Sequence, residues 1–195
     1  MRIAGGTYRG RNIKVPEGAD VRPTQDRVRE ALFSMLMHEI SGARFLDLFA
    51  GSGSVGFEAL SRGAAAATFV ESNPRHIAFI RANAAMLNPQ PSTHTPHPVT
   101  IVQADAYGYA EGFAGAPFDV AYADPPYALG ESEGFGRLLA IAAANGMVRK
   151  GGLFIAETTP RAAVPDAEGW DLCRDREYGK SRLLVWKRQE VRAEG

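Results

Sequence analysis

Two short segments of the chain carry residue types that act together chemically. The first, Phe118-Asp119-Val120-Ala121-Tyr122-Ala123-Asp124-Pro125-Pro126-Tyr127, reads as a strand that ends in an acid, two prolines and an aromatic ring. Consecutive prolines fix the direction of the backbone and remove two amide donors, leaving carbonyl oxygens as acceptors. An amino group on an aromatic base is a poor nucleophile because its lone pair is delocalised into the ring. If the Asp124 carboxylate and the Pro125 carbonyl hold its two hydrogens, the nitrogen is favoured as a pyramid with its lone pair aimed at a methyl donor. Pro126 stiffens the turn, and Tyr127 is placed to stack on the base. Positioning of this kind contributes on the order of 7 to 11 kcal/mol to a two-substrate reaction, so no strong base is required. The plain alternative is a proline-stiffened loop after a strand.

The second segment is Phe45-Leu46-Asp47-Leu48-Phe49-Ala50-Gly51-Ser52-Gly53-Ser54-Val55-Gly56, a strand entering a glycine-rich turn and then a helix. Gly51, Gly53 and Gly56 satisfy G-x-G-x-x-G, and Glu71 follows Gly51 by 20 residues at the end of the next strand, as in a dinucleotide site. A pyrophosphate, however, needs an open helix N-terminus, and an acid at the tip of the first strand opposes its charge. Asp47 is such an acid. It suits a ligand with a cationic amino group, and S-adenosylmethionine is one: an ammonium, a sulfonium, a ribose and an adenine, without phosphate. Asp105, just beyond the third strand, adds a polar group at the same sheet edge, within reach of the adenine. Charges at strand ends are common in themselves, but their recurrence at successive strands favours a binding site over chance.

The elements that position these segments alternate along the chain. Val28, Ala31, Leu32, Met35 and Leu36 mark an amphipathic helix after Arg22-Pro23, with Thr24 as its cap. Strands are expected at 44–49, 68–70, 99–103, 118–123 and 153–156, and helices at 54–61, 74–87 and 135–144, with Asn73 capping the second. This is the pattern of an α/β fold, a mostly parallel sheet covered on both faces. Residues 170–178 and 182–187 form a terminal antiparallel hairpin instead, and Met1 to Val15 suggests a small β-hairpin broken by glycines. The stretch Asn88 to Pro98 reads as an exposed loop; His94 and His97 within it lack the acidic neighbours of a metal site.

The chain of 195 residues balances 22 basic against 22 acidic side chains, so no global charge points to nucleic acid or membrane. The distribution is uneven. Residues 1–30 carry seven basic and four acidic groups, 31–170 eight and 13, and 171–195 seven and five. Arg2, Arg9, Arg11 and Lys14 have no acid in their stretch, which suits either a charged, solvated edge strand or an arm for phosphate contacts. Cys173 is the single cysteine, so no intramolecular disulfide forms, and it is expected to pack as a small apolar residue. The first residues lack the apolar core of a secretory signal, and nowhere do about 18 apolar residues run together, so a cytoplasmic protein is expected.

Asp47-Leu48-Phe49-Ala50-Gly51-Ser52-Gly53 together with Asp124-Pro125-Pro126-Tyr127 resembles the class I S-adenosylmethionine-dependent amino-methyltransferases. Arg2-Ile3-Ala4-Gly5-Gly6, Arg9-Gly10-Arg11, Arg22-Pro23-Thr24 and Asp26-Arg27-Val28-Arg29-Glu30 extend the likeness to the bacterial small-subunit ribosomal RNA guanine-N2 methyltransferases of the RsmD type, over nearly the whole chain. The resemblance implies a Rossmann-like seven-stranded sheet with a C-terminal antiparallel hairpin. It divides the chain into a basic RNA-contacting arm at 1–20 and a methyltransferase domain at 21–195. It sets Asp47, Gly51, Ser52 and Gly53 against the methionine part of the cofactor, Glu71 on its ribose and Asp105 near its adenine, with Phe49 a further cofactor contact and Arg22 and Thr24 toward its carboxylate. Asp124 to Tyr127 would grip a guanine of ribosomal RNA or of the assembled small subunit. A monomer without metal or membrane contact is expected. Competing readings are a DNA adenine or cytosine amino-methyltransferase, for which the chain leaves little room for a target-recognition domain, a nicotinamide-dependent oxidoreductase, and a non-catalytic RNA-binding assembly factor.

Overall fold

The computed structural model describes residues 1–16, 23–87, 98–125 and 134–190, with backbone alone for residues 23–25 and 134. Arg22, Pro126, Tyr127, the Asn88 to His97 loop and the side chain of Thr24 lie outside the described residues. Seven strands form one sheet: β1 (Arg44–Leu48), β2 (Ala66–Glu71), β3 (Val99–Gln103), β4 (Phe118–Ala123), β5 (Val148–Thr158), β6 (Trp170–Tyr178) and β7 (Ser181–Arg188). Their spatial order is β3-β2-β1-β4-β5-β7-β6. The first five strands run parallel, and β7 lies antiparallel between β5 and β6. Connecting them are α1 (Pro23–Met35), α2 (Ser54–Ser61), α3 (Pro74–Leu87), α4 (Ala106–Glu111) and α5 (Gly134–Ala144).

Side chains alternate across the pleat, so each strand feeds two cores. Phe45, Val120, Tyr122 and Ile155 face α1, α2 and α3 on one side. Leu46, Leu48, Ala121 and Phe154 face α4 and α5 on the other. That is why β1 and β4 read as continuous apolar runs: both of their faces are covered. Gly56 is dictated by packing, since a Cβ there would come within 2.3 Å of the Phe69 ring on β2.

Several elements differ from the sequence reading. Strand β5 runs from Val148 to Thr158 rather than over 153–156, passing through Gly151 and Gly152. A side chain at position 152 would meet the Asp119 carbonyl at 2.8 Å, so glycine there lets β5 follow the register shift beside β4. Helix α4 was not anticipated; it is six residues long, contains Gly108, and is started by Asp105 as its cap. Cys173 does not pack inward. It lies exposed where the β6–β7 register shifts between Leu172 and Arg174, its thiol donating to the Val185 carbonyl at 3.2 Å.

The N-terminal segment pairs with itself as a short antiparallel hairpin: Arg2 bridges Asn12, and the Ile3, Gly10 and Ile13 amides donate to the Arg11, Ile3 and Met1 carbonyls. Its turn is docked on α2. Ala4 and Gly5 amides donate to the two oxygens of Glu58 on α2, each at 2.8 Å, and the Thr7 amide donates to the Ser61 carbonyl. Ile3 and Ile13 are buried in the same core as α1. Glu58 is fully buried and also receives Arg62 Nε at 2.7 Å, with Arg29 Nε at 3.5 Å. Replacing Glu58 by Ala leaves these donors and the buried Arg29 without their acceptor. The expected loss is about 3–5 kcal/mol in urea unfolding, with faster amide exchange at Ala4 and Gly5.

Candidate active site

Strand β1 has β2 on one side and β4 on the other, so the direction of winding reverses between β1 and β4. In open α/β sheets ligands bind outside the carboxyl ends of the strands at such a point. Leu48 is paired with Ala123 there, which brings the glycine turn after β1 beside Asp124. The chain leaves β1 through Phe49 in the left-handed region, φ 64°, and Gly51 follows with φ 55°. A Cβ at Gly51 would have no atom within 4 Å, so the turn borders open space.

Asp47 is 2% exposed, and its Oδ2 accepts from the Gly56 amide at 2.9 Å. It thus closes the first turn of α2, whose N-cap Gly53 offers no side chain. The helix end that a pyrophosphate would need is taken by the protein's own carboxylate, which opposes the dinucleotide reading. Burial raises the Asp47 pKa to about 7 despite that hydrogen bond, and Glu71 adds to the rise. Glu71 itself accepts from the Gly51 amide and the Asn73 amide, both at 2.8 Å, so it fixes the turn as well as facing it. His76 Nδ1 also lies 3.4 Å from Oε2, which leaves Oε1 with a second lone pair for a ribose hydroxyl. Asp105 is exposed and accepts from the Gly108 amide, while the rings of Phe49 and Tyr107 meet edge-on at 6.4 Å between centroids.

On the β4 side, Asp124 is exposed at the mouth of the site while Pro125 is buried. Loss of hydration at the strand ends pushes the Asp124 carboxyl above its usual range, and the carboxylates of Glu157 and Asp47 push it further. Tyr122, two residues earlier, is buried and donates from Oη to Glu157 Oε2 at 2.7 Å. Its phenol is held protonated by burial and by the acids around it. A cavity of about 100 Å³ opens between Tyr122, Asp124 and Glu157 on the sheet, Arg29 and Leu32 on α1, and Val55 on α2. A larger groove of about 550 Å³ lies at the opposite edge of the sheet, between α5 and the β5–β6 connection, remote from these acids.

Acids crowded at low hydration favour whatever brings positive charge among them. With the α2 N-terminus closed and the Gly51 turn bordering open space, the site fits a cationic ligand carrying a ribose, and S-adenosylmethionine meets both requirements. The structure brings Asp47, Gly51, Ser52, Gly53, Glu71, Asp124 and Pro125 to one sheet edge. Arg2, Arg9, Arg11 and Lys14 lie elsewhere, exposed on the segment docked against α2 and α3. None of the four has an acidic partner among the described residues; Arg11 Nη1 donates to the Leu87 carbonyl and its guanidinium lies over the Tyr8 ring. Tyr122, Glu157 and Arg29 escaped the sequence reading. Glu157 is the second-last residue of β5, as Asp47 is of β1, and it lies one residue past the expected end of that strand at Ala156.

Comparison with known proteins agrees with this geometry. The family described as Conserved hypothetical protein 95 matches residues 1–187. Ribosomal RNA small subunit methyltransferase D of Escherichia coli strain K12 is 34% identical over 190 residues, covering 97% of this chain and 90% of that protein. The solved structure of the Escherichia coli protein yhhF superposes with a TM-score of 0.82 at 33% identity, over 97% of this chain and 98% of that one. Magnesium protoporphyrin IX methyltransferase from Synechocystis, solved with S-adenosylmethionine bound, shares the fold at a TM-score of 0.65 and 16% identity, over 96% of this chain and 88% of that one. With an N-terminal arm, a glycine turn and a terminal hairpin all inside the matched span, the chain belongs to the Conserved hypothetical protein 95 family, that of the small-subunit ribosomal RNA methyltransferases of the RsmD type.

Proposed function

We propose that this chain transfers a methyl group from S-adenosylmethionine to the exocyclic 2-amino group of a guanine in small-subunit ribosomal RNA, free or assembled. The observation that carries the reading is the acceptor pair Asp124 and Pro125 set beside buried Asp47 at the point where the sheet winding reverses. The names of the relatives favour ribosomal RNA over DNA. A cytoplasmic, metal-free monomer accords with this substrate, and among the described residues no helix is long and apolar enough to cross a membrane.

S-adenosylmethionine supplies a methyl group on a positively charged sulfur. Asp47, Glu71 and the 51–53 turn hold its amino-acid and ribose parts, with Phe49 and Asp105 toward the adenine; Arg22 and Thr24 complete the carboxylate end. The target base is unstacked before it enters, at a cost of a few kcal/mol. Asp124 and the Pro125 carbonyl hold the two amine hydrogens, and Tyr127 backs the ring. As the nitrogen–carbon bond forms, the carbon–sulfur bond breaks and its electron pair stays on sulfur. The nitrogen then carries a positive charge and an extra proton. Asp124, whose proton affinity is raised by its neighbours, is placed to take that proton before solvent does. Arg2, Arg9, Arg11 and Lys14 contact the flanking phosphates.

Asp124→Ala is expected to lower methyl transfer to small subunits from cells lacking the enzyme by about 10²–10⁴-fold while leaving RNA affinity nearly intact. Labelled cofactor incubated with those particles and with naked DNA makes the test, and label on DNA alone would overturn the reading. Asp47 and Asp124 both have raised pKa values, so they hold protons that a bound cation displaces. Affinity for S-adenosylmethionine therefore rises between pH 6 and 8, with proton release seen by calorimetry in buffers of different ionisation enthalpy. The same shift makes Asp47's contribution to folding fall from about pH 4 to pH 7, since the native chain keeps a proton that the unfolded chain loses. Replacing Arg9 and Arg11 by Ala should reduce the slope of log affinity against log salt by about 1.5, with cofactor affinity unchanged.

A further inference from the structure

We propose that Glu157 selects guanine by accepting the hydrogen on ring nitrogen N1 while Asp124 and Pro125 hold the adjacent 2-amino group. This rests on the guanine-N2 reading and adds the residue that would enforce it. Parallel pairing of Ala123 with Ala156 sets Asp124 and Glu157 one step further along neighbouring strands, level with each other at the mouth of the site. One oxygen of Glu157, Oε2, is fixed by Tyr122 Oη at 2.7 Å. Oε1 has no hydrogen-bond partner among the described residues, and Glu157 lines the same cavity as Asp124. Tyr122 is buried, so the phenol has few alternatives and holds the carboxylate in one orientation.

The cavity also has the right size and polarity for the edge of a base. A void of about 150 Å³ holds a benzene ring, so about 100 Å³ takes an edge rather than a whole purine. Leu32 and Val55 face it from the helices and offer nothing to hydrogen-bond, Ser54 brings a hydroxyl at the start of α2, and the carboxylates come from the sheet side. Arg29, on the same wall, already serves Asp26, the Arg2 carbonyl and Glu58. Two carboxylates, Asp124 and Glu157, line the cavity that takes the incoming edge, and carboxylates only accept. Guanine presents three hydrogens there, one on N1 and two on the amine. Adenine and cytosine each present a ring nitrogen that accepts, and acceptor against acceptor leaves both unpaired in a partly dry site.

The test uses small subunits reconstituted around ligated ribosomal RNA that carries either guanine or 2-aminopurine at the methylated position. 2-Aminopurine keeps the amine but has no hydrogen on N1. Wild-type protein should methylate the 2-aminopurine particle on the order of 10- to 100-fold more slowly. Glu157→Gln should slow the guanine reaction, leave the 2-aminopurine reaction nearly unchanged and bring the ratio toward one. Tyr122→Phe, which frees the carboxylate without removing it, should give an intermediate ratio. Affinity for S-adenosylhomocysteine, measured by calorimetry, should be the same in all three proteins, which separates base selection from a disturbed fold. Equal ratios in wild type and both variants would overturn the role of Glu157 and leave guanine methylation standing. A wild-type protein that methylates neither particle would overturn the guanine reading, and this proposal with it.

Discussion

The hydrogen bond from the Gly56 amide to Asp47 ties together nearly everything at the working edge of this protein. It joins the central strand β1 to helix α2 across the glycine turn, and it requires the helix to sit close to the sheet. That closeness is why position 56 carries no side chain, with the Phe69 ring only 2.3 Å from where a Cβ would be. The same bond holds a carboxylate in a nearly dry place, 2% exposed, where its charge is costly. Backbone geometry and electrostatics are thus set by one contact. The turn takes its shape from Asp47 on one side and from Glu71, through the Gly51 amide, on the other.

A second buried acid does the equivalent job for the N-terminal segment. Glu58 lies four residues after Ser54, the first residue of α2, and receives the Ala4 and Gly5 amides, so α2 carries the cofactor turn at one end and the arm along its side. Met1 consequently reaches the rim of the Asp124 cavity, and Arg29 Nη1 touches its sulfur. The arm is therefore not a separate body strung from the domain; its inner face, through Ile3 and Ile13, is part of the core under α1. Its outward arginines inherit a fixed position relative to the site. For a substrate in which flanking phosphates must be held while one base is turned out, a rigid offset between the two is worth more than a flexible tether.

Legibility in the sequence followed the range of the interactions involved. The parallel strands, the glycine turn and the terminal hairpin were readable because periodicity, breakers and caps are local properties of the chain. The partner of a buried group is not. Nothing near residue 58 says that its carboxylate will be taken by amides more than 50 residues earlier, so the hairpin of the first 15 residues was legible while its docking on α2 was not. The expected strand began only at Leu153, because the reason for a glycine at 152, the Asp119 carbonyl on β4, lies across the sheet. Asp105 showed the opposite confusion: an acid at a strand end was legible as a site residue, while its capping of α4 was not.

Clustering acids where a strand end is dry is unfavourable for the free protein, since each raises the proton affinity of the next. The placing of Asp47 and Asp124 on one face follows from strand register: Asp47 is paired with Tyr122 on β4, Asp124 comes two residues later, and Glu157 on β5 is level with Asp124. Hydrophobic interleaving beneath fixes that register, because a slip by one residue would turn Phe45, Tyr122 and Ile155 out of the core. The chemistry at the edge is therefore held in place by burial at the centre. An acid moved by one strand position would face the other layer, so the spacing from the last buried apolar residue to each carboxylate is as much a part of the site as the carboxylates themselves.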